Sequence, residues 1–232
     1  MADDSRKHLT GDCTNGECEV MTTRVNDFTI NIATANGTGS QSANLIILHS
    51  MYEMGIPVSG KNLFPSNISG LPTWFIIRAS DAGYQAPGDY THIQIMMNKD
   101  TWEKDMNNLE PGTVIIYNQD AKLPVDRDDC IALPMPMTKM ARSISPKMAK
   151  IIANMYYVGA LAHILKIDDK AIKVAVSLQF AGKEKAIEWN LQAIAEGKAY
   201  AEENWDYESE YLAEARDKDP NTFLIEGNEA TA

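Results

Sequence analysis

The residues best placed to do chemistry lie in one short run. Gly37-Thr38-Gly39-Ser40-Gln41-Ser42 follows an alternating apolar segment, residues 28–33, and opens an amphipathic stretch with Leu45, Ile46, Leu48, Met51 and Tyr52 at helical spacing. A strand, a glycine-rich turn and a helix in succession aim backbone amides at whatever anion sits over the turn. The hydroxyls of Thr38, Ser40 and Ser42 add polar groups on the same stretch. The run fits G-x-G-x-x-G except at its end, where Ser42 replaces the third glycine. A dinucleotide site also asks for an acidic residue roughly 20 positions on. Here the second strand region reads Val58-Ser59-Gly60-Lys61, and Glu53 falls inside the helix. Lysine there favours a phosphate over a ribose hydroxyl. The sequence therefore argues against a dinucleotide site and leaves an anion site open. The plainer alternative is a tight strand-to-helix connection with no ligand, and Lys61 as a solvated surface lysine.

Other chemistry finds little support. His8, His49, His92 and His163 are scattered, and none has a Cys or carboxylate at metal-ligand spacing. Cys13 and Cys18 resemble half of a metal site, but no second pair follows; with Cys130 the cysteine count is odd. No metal and no disulfide framework is expected. There is no G-x-S-x-G elbow and no H-E-x-x-H pair.

The elements that must position the turn follow from periodicity. A strand is expected over residues 28–33 and a helix over 42–54, which Gly55 ends. Residues 60–72 read as a long loop, a common place for function. Strands are expected over 73–78, 93–97, 113–117 and 130–133, with a short helix over 100–109 capped by Asp100. From Pro134 onward the pattern is helical. Ser145-Pro146 marks a helix start, and the helix over 146–165 is apolar on more than one side. Asp168 caps the next helix, Gly182 breaks it, and another runs over 183–204. Residues 222–225 are β-like. The expected fold is α/β, a three-layer αβα arrangement with a mostly parallel sheet, a Rossmann-like first βαβ unit and a helical C-terminal part.

Composition bounds the class. The 232 residues are 44% hydrophobic and 23% charged, as expected of a packed fold. The net charge of -11 argues against nucleic acid as a partner. Neither a membrane-spanning run nor a secretory leader is apparent, so a cytoplasmic location is expected. Three regions are expected: a flexible extension over 1–24, the main domain over 25–204, and an acidic linker over 205–232 leading into a further domain. The acidic residues there, from Glu202 to Asp219, read as a solvated face.

Taken as a set, several motifs are telling. NGTGSQSANL at 36–45, followed by MGIPVSGKNLFPSNISGLPTWFIIR at 54–78, resembles the gamma domain of the 2-oxoacid:ferredoxin oxidoreductases, in the form fused to the front of the alpha subunit. The loop from Phe64 to Leu71 departs from that family's YPSxIRGG pattern at Phe64 and Ser69. Asn154 with Gly159-Ala160-Leu161 resembles its N-x-x-x-x-G-A-L helix, and Phe180-Ala181-Gly182-Lys183 with Asn190 and residues 193–198 resembles its closing helices. The tail at 223–230 is similar to the opening of the thiamine pyrimidine-side domain in fused subunits.

The resemblance implies a part in oxidative decarboxylation of a 2-oxoacid to an acyl-coenzyme A, with 2-oxoglutarate expected and pyruvate as the alternative. It implies that this domain helps bind coenzyme A. Thiamine diphosphate, magnesium and iron–sulfur clusters would belong to the complete enzyme, with ferredoxin as electron acceptor. The partners implied are a beta subunit and the remaining alpha-subunit domains, with a homodimer left open. Carried onto this sequence, the ligand-binding set is Gly37, Thr38, Gly39, Ser40, Gln41, Ser42, Lys61, Asn62, Ser66 and Asn67. None of these is expected to be catalytic, and the chain alone is expected to be inactive. Two rivals stand beside this: a non-catalytic scaffold domain of the same complex, and a stand-alone dinucleotide-binding module.

Overall fold

The computed structural model describes residues 23–35, 37–63, 72–88, 90–225 and 227–230. In chain order the elements are β1 (Arg24–Val25), β2 (Asp27–Ala35), α1 (Ser40–Glu53), β3 (Val58–Leu63), β4 (Pro72–Ser80), β5 (Ile93–Met96), α2 (Trp102–Asn107), β6 (Val114–Asn118), β7 (Ile131–Met135), α3 (Met137–Ile144), α4 (Ala149–Leu165), α5 (Asp169–Gln179), α6 (Glu184–Asn204), β8 (Tyr211–Leu212) and α7 (Gly227–Ala230). A six-stranded sheet has the order β3-β4-β2-β5-β6-β7. Strands β2, β5, β6 and β7 are parallel neighbours, while β4 lies antiparallel between β2 and β3. The mostly parallel sheet matches expectation. The β2–α1–β3 unit is parallel too, but β4 splits it and sends β3 to the sheet's edge.

Side-chain alternation along the strands sets the layers. Phe28, Ile30, Ile32, Phe75, Ile77, Ile93, Ile95, Val114 and Ile116 share one large core with the helices from α1 through α6, α2 excepted. The opposite face carries a smaller cluster of Met96, Met106, Leu109, Ile115 and Leu123 around α2. Among the described residues no single helix is long and apolar enough to cross a membrane.

The helical half is organised by α4. Nearly all of its side chains are buried, as an all-round apolar sequence requires. It crosses α6 with backbones almost touching. A Cβ at Gly159 would lie 2.1 Å from Ile194 O, and one at Gly197 would lie 2.5 Å from Tyr156 O. Those two glycines, singled out in the sequence as motif residues, are therefore packing residues.

Four local expectations are corrected. The Ser145-Pro146 pair does not start α4. Ser145 is the extended C-cap of α3, as a residue before proline prefers, and α4 begins three residues after Pro146 at an angle of 117° to α3. Asp100 does not cap α2; the residue before Trp102 is Thr101, which makes no side-chain cap bond. The stretch from Gly60 to Leu63 is edge strand rather than loop, because β4 offers it a ladder. Residues 222–225 form no strand. Asp168 does cap α5, accepting from the Lys170 amide at 2.8 Å.

Residues 205–222 lie against the body. Trp205, Tyr211 and Ala213 are buried, β8 pairs with β1, and Asn26 exchanges two 2.9 Å hydrogen bonds with the Glu214 backbone. The Arg216 amide donates to Met54 O at 2.8 Å, and Tyr52 donates to Thr222 O at 2.8 Å. Most of the acidic side chains of this segment face solvent, while the apolar residues between them anchor it.

His92 ties the two ends of this arrangement together. The Thr29 amide donates to its Nδ1 at 2.9 Å, Arg24 Nη1 lies 3.1 Å from Nε2, and Tyr90 and Tyr211 pack on the ring. Burial first, then the charges of Arg24 and Arg78, lower its pKa from 6.5 to about 4. The neutral ring's contribution is complete above pH 6.5 and is lost as pH falls toward about 4. Its size is on the order of 2–3 kcal/mol. Urea unfolding should show this loss between pH 7 and pH 4.5 in the native protein, and the pH slope should shrink in His92→Gln; equal slopes would refute the assignment. Gly159→Ala is expected to cost about 3 kcal/mol or more, because backbone cannot yield as a side chain can. A shift in unfolding midpoint worth under about 1 kcal/mol would show that the crossing relaxes.

Candidate functional site

The glycine turn closes through interactions that the local sequence does not supply. Gly39 sits in the left-handed region at φ 77°, where a side chain would be strained, and a Cβ there would meet Ile151 Cγ2 at 2.9 Å. It occupies the N-cap position of α1 and so offers no capping side chain. The turn is held from α4 instead. Asn154 Nδ2 donates to Thr38 O at 2.8 Å, and one turn further on the buried Tyr157 hydroxyl donates to Asn44 Oδ1 at 2.8 Å. Burial alone raises the Tyr157 pKa, so the phenol is a permanent donor.

The hydroxyls expected to meet a ligand are turned inward. Thr38 donates to Ala35 O at 2.8 Å. Ser40 Oγ accepts from Thr34 at 2.9 Å, and Thr34 also contacts Thr73 at 3.3 Å. Ser42 Oγ accepts from Gln179 at 3.3 Å. The backbone amides are different. Those of Ser40, Gln41 and Ser42 have no acceptor among the described residues, as the first turn of an uncapped helix must leave them. Two of these residues, Ser40 and Gln41, border a cleft of about 420 Å³ together with Gly37, Gly39, Asn44 and Asn62. Phe75 and Trp74 also line it. None of its described lining residues is ionisable, so its positive potential comes from the helix end.

The sheet register separates two residues expected to act together. Asn62 is paired with Phe75, on the side of α1, and lines the cleft. Lys61 is paired with Ile76 and projects to the other face. An ammonium group beside the glycine turn is thus not what the strand provides. A loop would have left both residues free to converge; a strand cannot, because adjacent side chains alternate. Ser66 and Asn67 lie outside the described residues, as do Cys13 and Cys18. Asn154 and Tyr157 are the positioning residues that sequence reasoning did not assign. Their signal was present: polar groups in an otherwise buried helix must find partners.

A profile of the family described as pyruvate ferredoxin/flavodoxin oxidoreductase matches residues 29–200. The chain belongs to that family. A curated relative, the alpha subunit of 2-oxoacid:ferredoxin oxidoreductase 2 from Aeropyrum pernix, is 21% identical over 89% of this chain. The chain spans only 38% of that relative's length. Among solved structures, the 2-oxoglutarate:ferredoxin oxidoreductase from Magnetococcus marinus, determined with 2-oxoglutarate, coenzyme A and succinyl-CoA bound, superposes with a TM-score of 0.75 at 26% identity. That match covers 82% of this chain and 34% of the other. The gamma subunit of a keto/oxoacid ferredoxin oxidoreductase from Geobacter sulfurreducens shares the fold at 17% identity, with a TM-score of 0.64 over 76% of this chain and 99% of that one. A pyruvate oxidoreductase subunit from Thermotoga maritima does so at 17% identity, with a TM-score of 0.61 over 75% of this chain and 96% of that one. The fold seen here thus occurs both in chains that it nearly fills and as part of a longer chain.

The spacing of Asn154 and Gly159 now has a physical reading. Asn154 clamps the glycine turn, and Gly159 lets α6 approach. Tyr157→Phe should cost about 1–3 kcal/mol, because Asn44 Oδ1 is left buried without a donor. Chemical denaturation measures this; a change below about 0.3 kcal/mol would mean that the network relaxes or admits water.

Proposed function

We propose that this chain acts as the gamma domain of a 2-oxoacid:ferredoxin oxidoreductase, in which the cleft at the start of α1 holds part of coenzyme A. The observation that carries this is that the amides of Ser40 and Gln41, which have no acceptor among the described residues, belong to residues lining this cleft. Such amides suit a pyrophosphate or other phosphate oxygen, and the helix dipole adds about 1 kcal/mol. Gln41, Asn44 and Asn62 supply amide groups for the rest of the carrier. Gly37, with open space beside it, lets the backbone come close, and Gly39 supplies the left-handed turn, with Thr38, Ser40 and Ser42 shaping it through their internal bonds. The Magnetococcus marinus relative, solved with coenzyme A and succinyl-CoA, supports the ligand class, and its 2-oxoglutarate supports that 2-oxoacid.

On this reading the whole enzyme decarboxylates 2-oxoglutarate oxidatively to succinyl-CoA and reduces ferredoxin. Thiamine diphosphate with magnesium, and the iron–sulfur clusters, belong to a beta subunit and to further alpha-subunit domains. This domain binds and orients the acyl acceptor. Ser66 and Asn67 stay in the proposed set as contacts to the same ligand.

A second reading has its own support. With Thr38, Ser40 and Ser42 hydrogen-bonded internally and Ile151 packed at Gly39, the turn also works as a plain connection in a scaffold domain. Kinetics of the assembled oxidoreductase separate the two. Asn62→Ala should raise KM for coenzyme A by about three- to tenfold, the value of one hydrogen bond, with KM for the 2-oxoacid unchanged. Lys61→Ala should leave both constants within about twofold. Unchanged kinetics for Asn62→Ala would favour the scaffold, and a coenzyme A defect confined to Lys61→Ala would move the ligand to the other face.

A further inference from the structure

The opposite face of the sheet holds a second cleft, of about 430 Å³, between α2 and strands β2 to β5. Its walls combine apolar surface with polar groups of both kinds, the composition of small-molecule sites. Trp74 and Leu63 give the apolar side. Asp105 is 5% exposed; its Oδ1 accepts from Trp74 Nε1 at 2.7 Å, and its Oδ2 has no hydrogen-bond partner among the described residues. The Thr101 hydroxyl lies near enough to favour the carboxylate but outside hydrogen-bond geometry. Asn31 Oδ1, buried on β2, also has no partner among the described residues. Lys104 sits at the rim, its Nζ 4.2 Å from the Trp74 ring centroid.

Two buried acceptor atoms without a donor among the described residues are costly in an empty fold and are the groups an ammonium ion would satisfy. A cation at the rim beside them suits a carboxylate. We infer that this cleft binds a small α-amino acid with an apolar side chain: its ammonium group donates to Asp105 and Asn31, its carboxylate pairs with Lys104, and its side chain lies against Trp74 and Leu63. The site lies on the other face of the sheet from the proposed coenzyme A cleft, with Trp74 bordering both, and does not depend on that reading. Its ligand is held by charge and shape, with no reacting group involved.

Proton linkage makes the idea sharp. Burial raises the Asp105 pKa to about 6, against smaller opposing effects of Trp74, Thr101 and Lys104. The neighbours that pack around it from β2, β3, β4 and β5 are the uncharged Asn31, Leu63, Trp74 and Gln94. Arg127, which donates to Met106 O and Leu109 O near the end of α2, is held cationic by its hydrogen bonds to Asp129, and Lys104 is the charged group on α2 at the rim. His92, next to the lining residue Thr91, stays neutral above pH 5. Asp105, unlike His92 and Arg127, changes charge between pH 5 and 7.5.

Isothermal titration of the full chain with L-leucine and L-phenylalanine tests this. Saturable one-to-one binding is expected at pH 7.5, about tenfold weaker at pH 5, where some nine-tenths of Asp105 is protonated. Asp105→Asn, which keeps the acceptor for Trp74, should weaken binding at least about tenfold while leaving the protein folded. Asn31→Ala is the second variant and should weaken binding by about fivefold. No saturable heat up to about 10 mM amino acid, or binding undiminished in both variants, overturns the assignment.

Discussion

Helix α4 is the constraint on which the rest of the molecule leans. It is apolar almost all round, so it has to be enclosed, and the closeness of that enclosure is set by backbone rather than by side chains. Gly159 and Gly197 bring the carbonyls of Tyr156 and Ile194 to within reach of the facing chain. Once α6 is seated there, the start of α4 meets the glycine turn. Asn154 takes the Thr38 carbonyl and Tyr157 takes Asn44. The conformation of the turn is thus fixed by a helix more than a hundred residues away in sequence. A strand–turn–helix unit alone would leave Gly39 free to sample other conformations.

The inverted strand β4 shapes both clefts. By lying between β2 and β3 it puts β3 at the edge, with Asn62 on the α1 face and Lys61 on the other. It also carries Trp74, which borders both clefts. The two faces differ in how they handle charge. The α1 face relies on uncapped amides and a helix end, with no ionisable lining side chain among the described residues. The outer face carries a buried carboxyl and a lysine. A buried carboxylate without a full set of donors is destabilising in isolation, and such exceptions cluster where a protein does something besides fold.

The segment after α6 shows how composition misleads. Its acidic residues read as a solvated face, and most of those charges do face water. Yet Trp205, Tyr211 and Ala213 recur between them and are buried, and Asn26 and Met54 meet its backbone. Net charge reported the outer side of the segment only. The Ser145-Pro146 pair misled for a different reason. Serine followed by proline fits a helix start and a helix end equally well until the neighbouring helix is known.

Much of the architecture was legible in the chain: alternation gave the buried strands, the all-round apolar run gave α4, and Asp168 and Gly182 marked real boundaries. The glycine turn was legible too, because left-handed backbone before a helix is a property of residue type and local order. What tertiary structure alone decided was which way neighbouring groups face. Lys61 and Asn62 are adjacent in sequence, and only the pairing of β3 with β4 sends them to opposite sides. Ser40 and Ser42 look like ligand donors until Thr34 and Gln179 are seen to engage them. Side-chain direction depends on strand register and on partners far along the chain, and neither is a local property of the sequence.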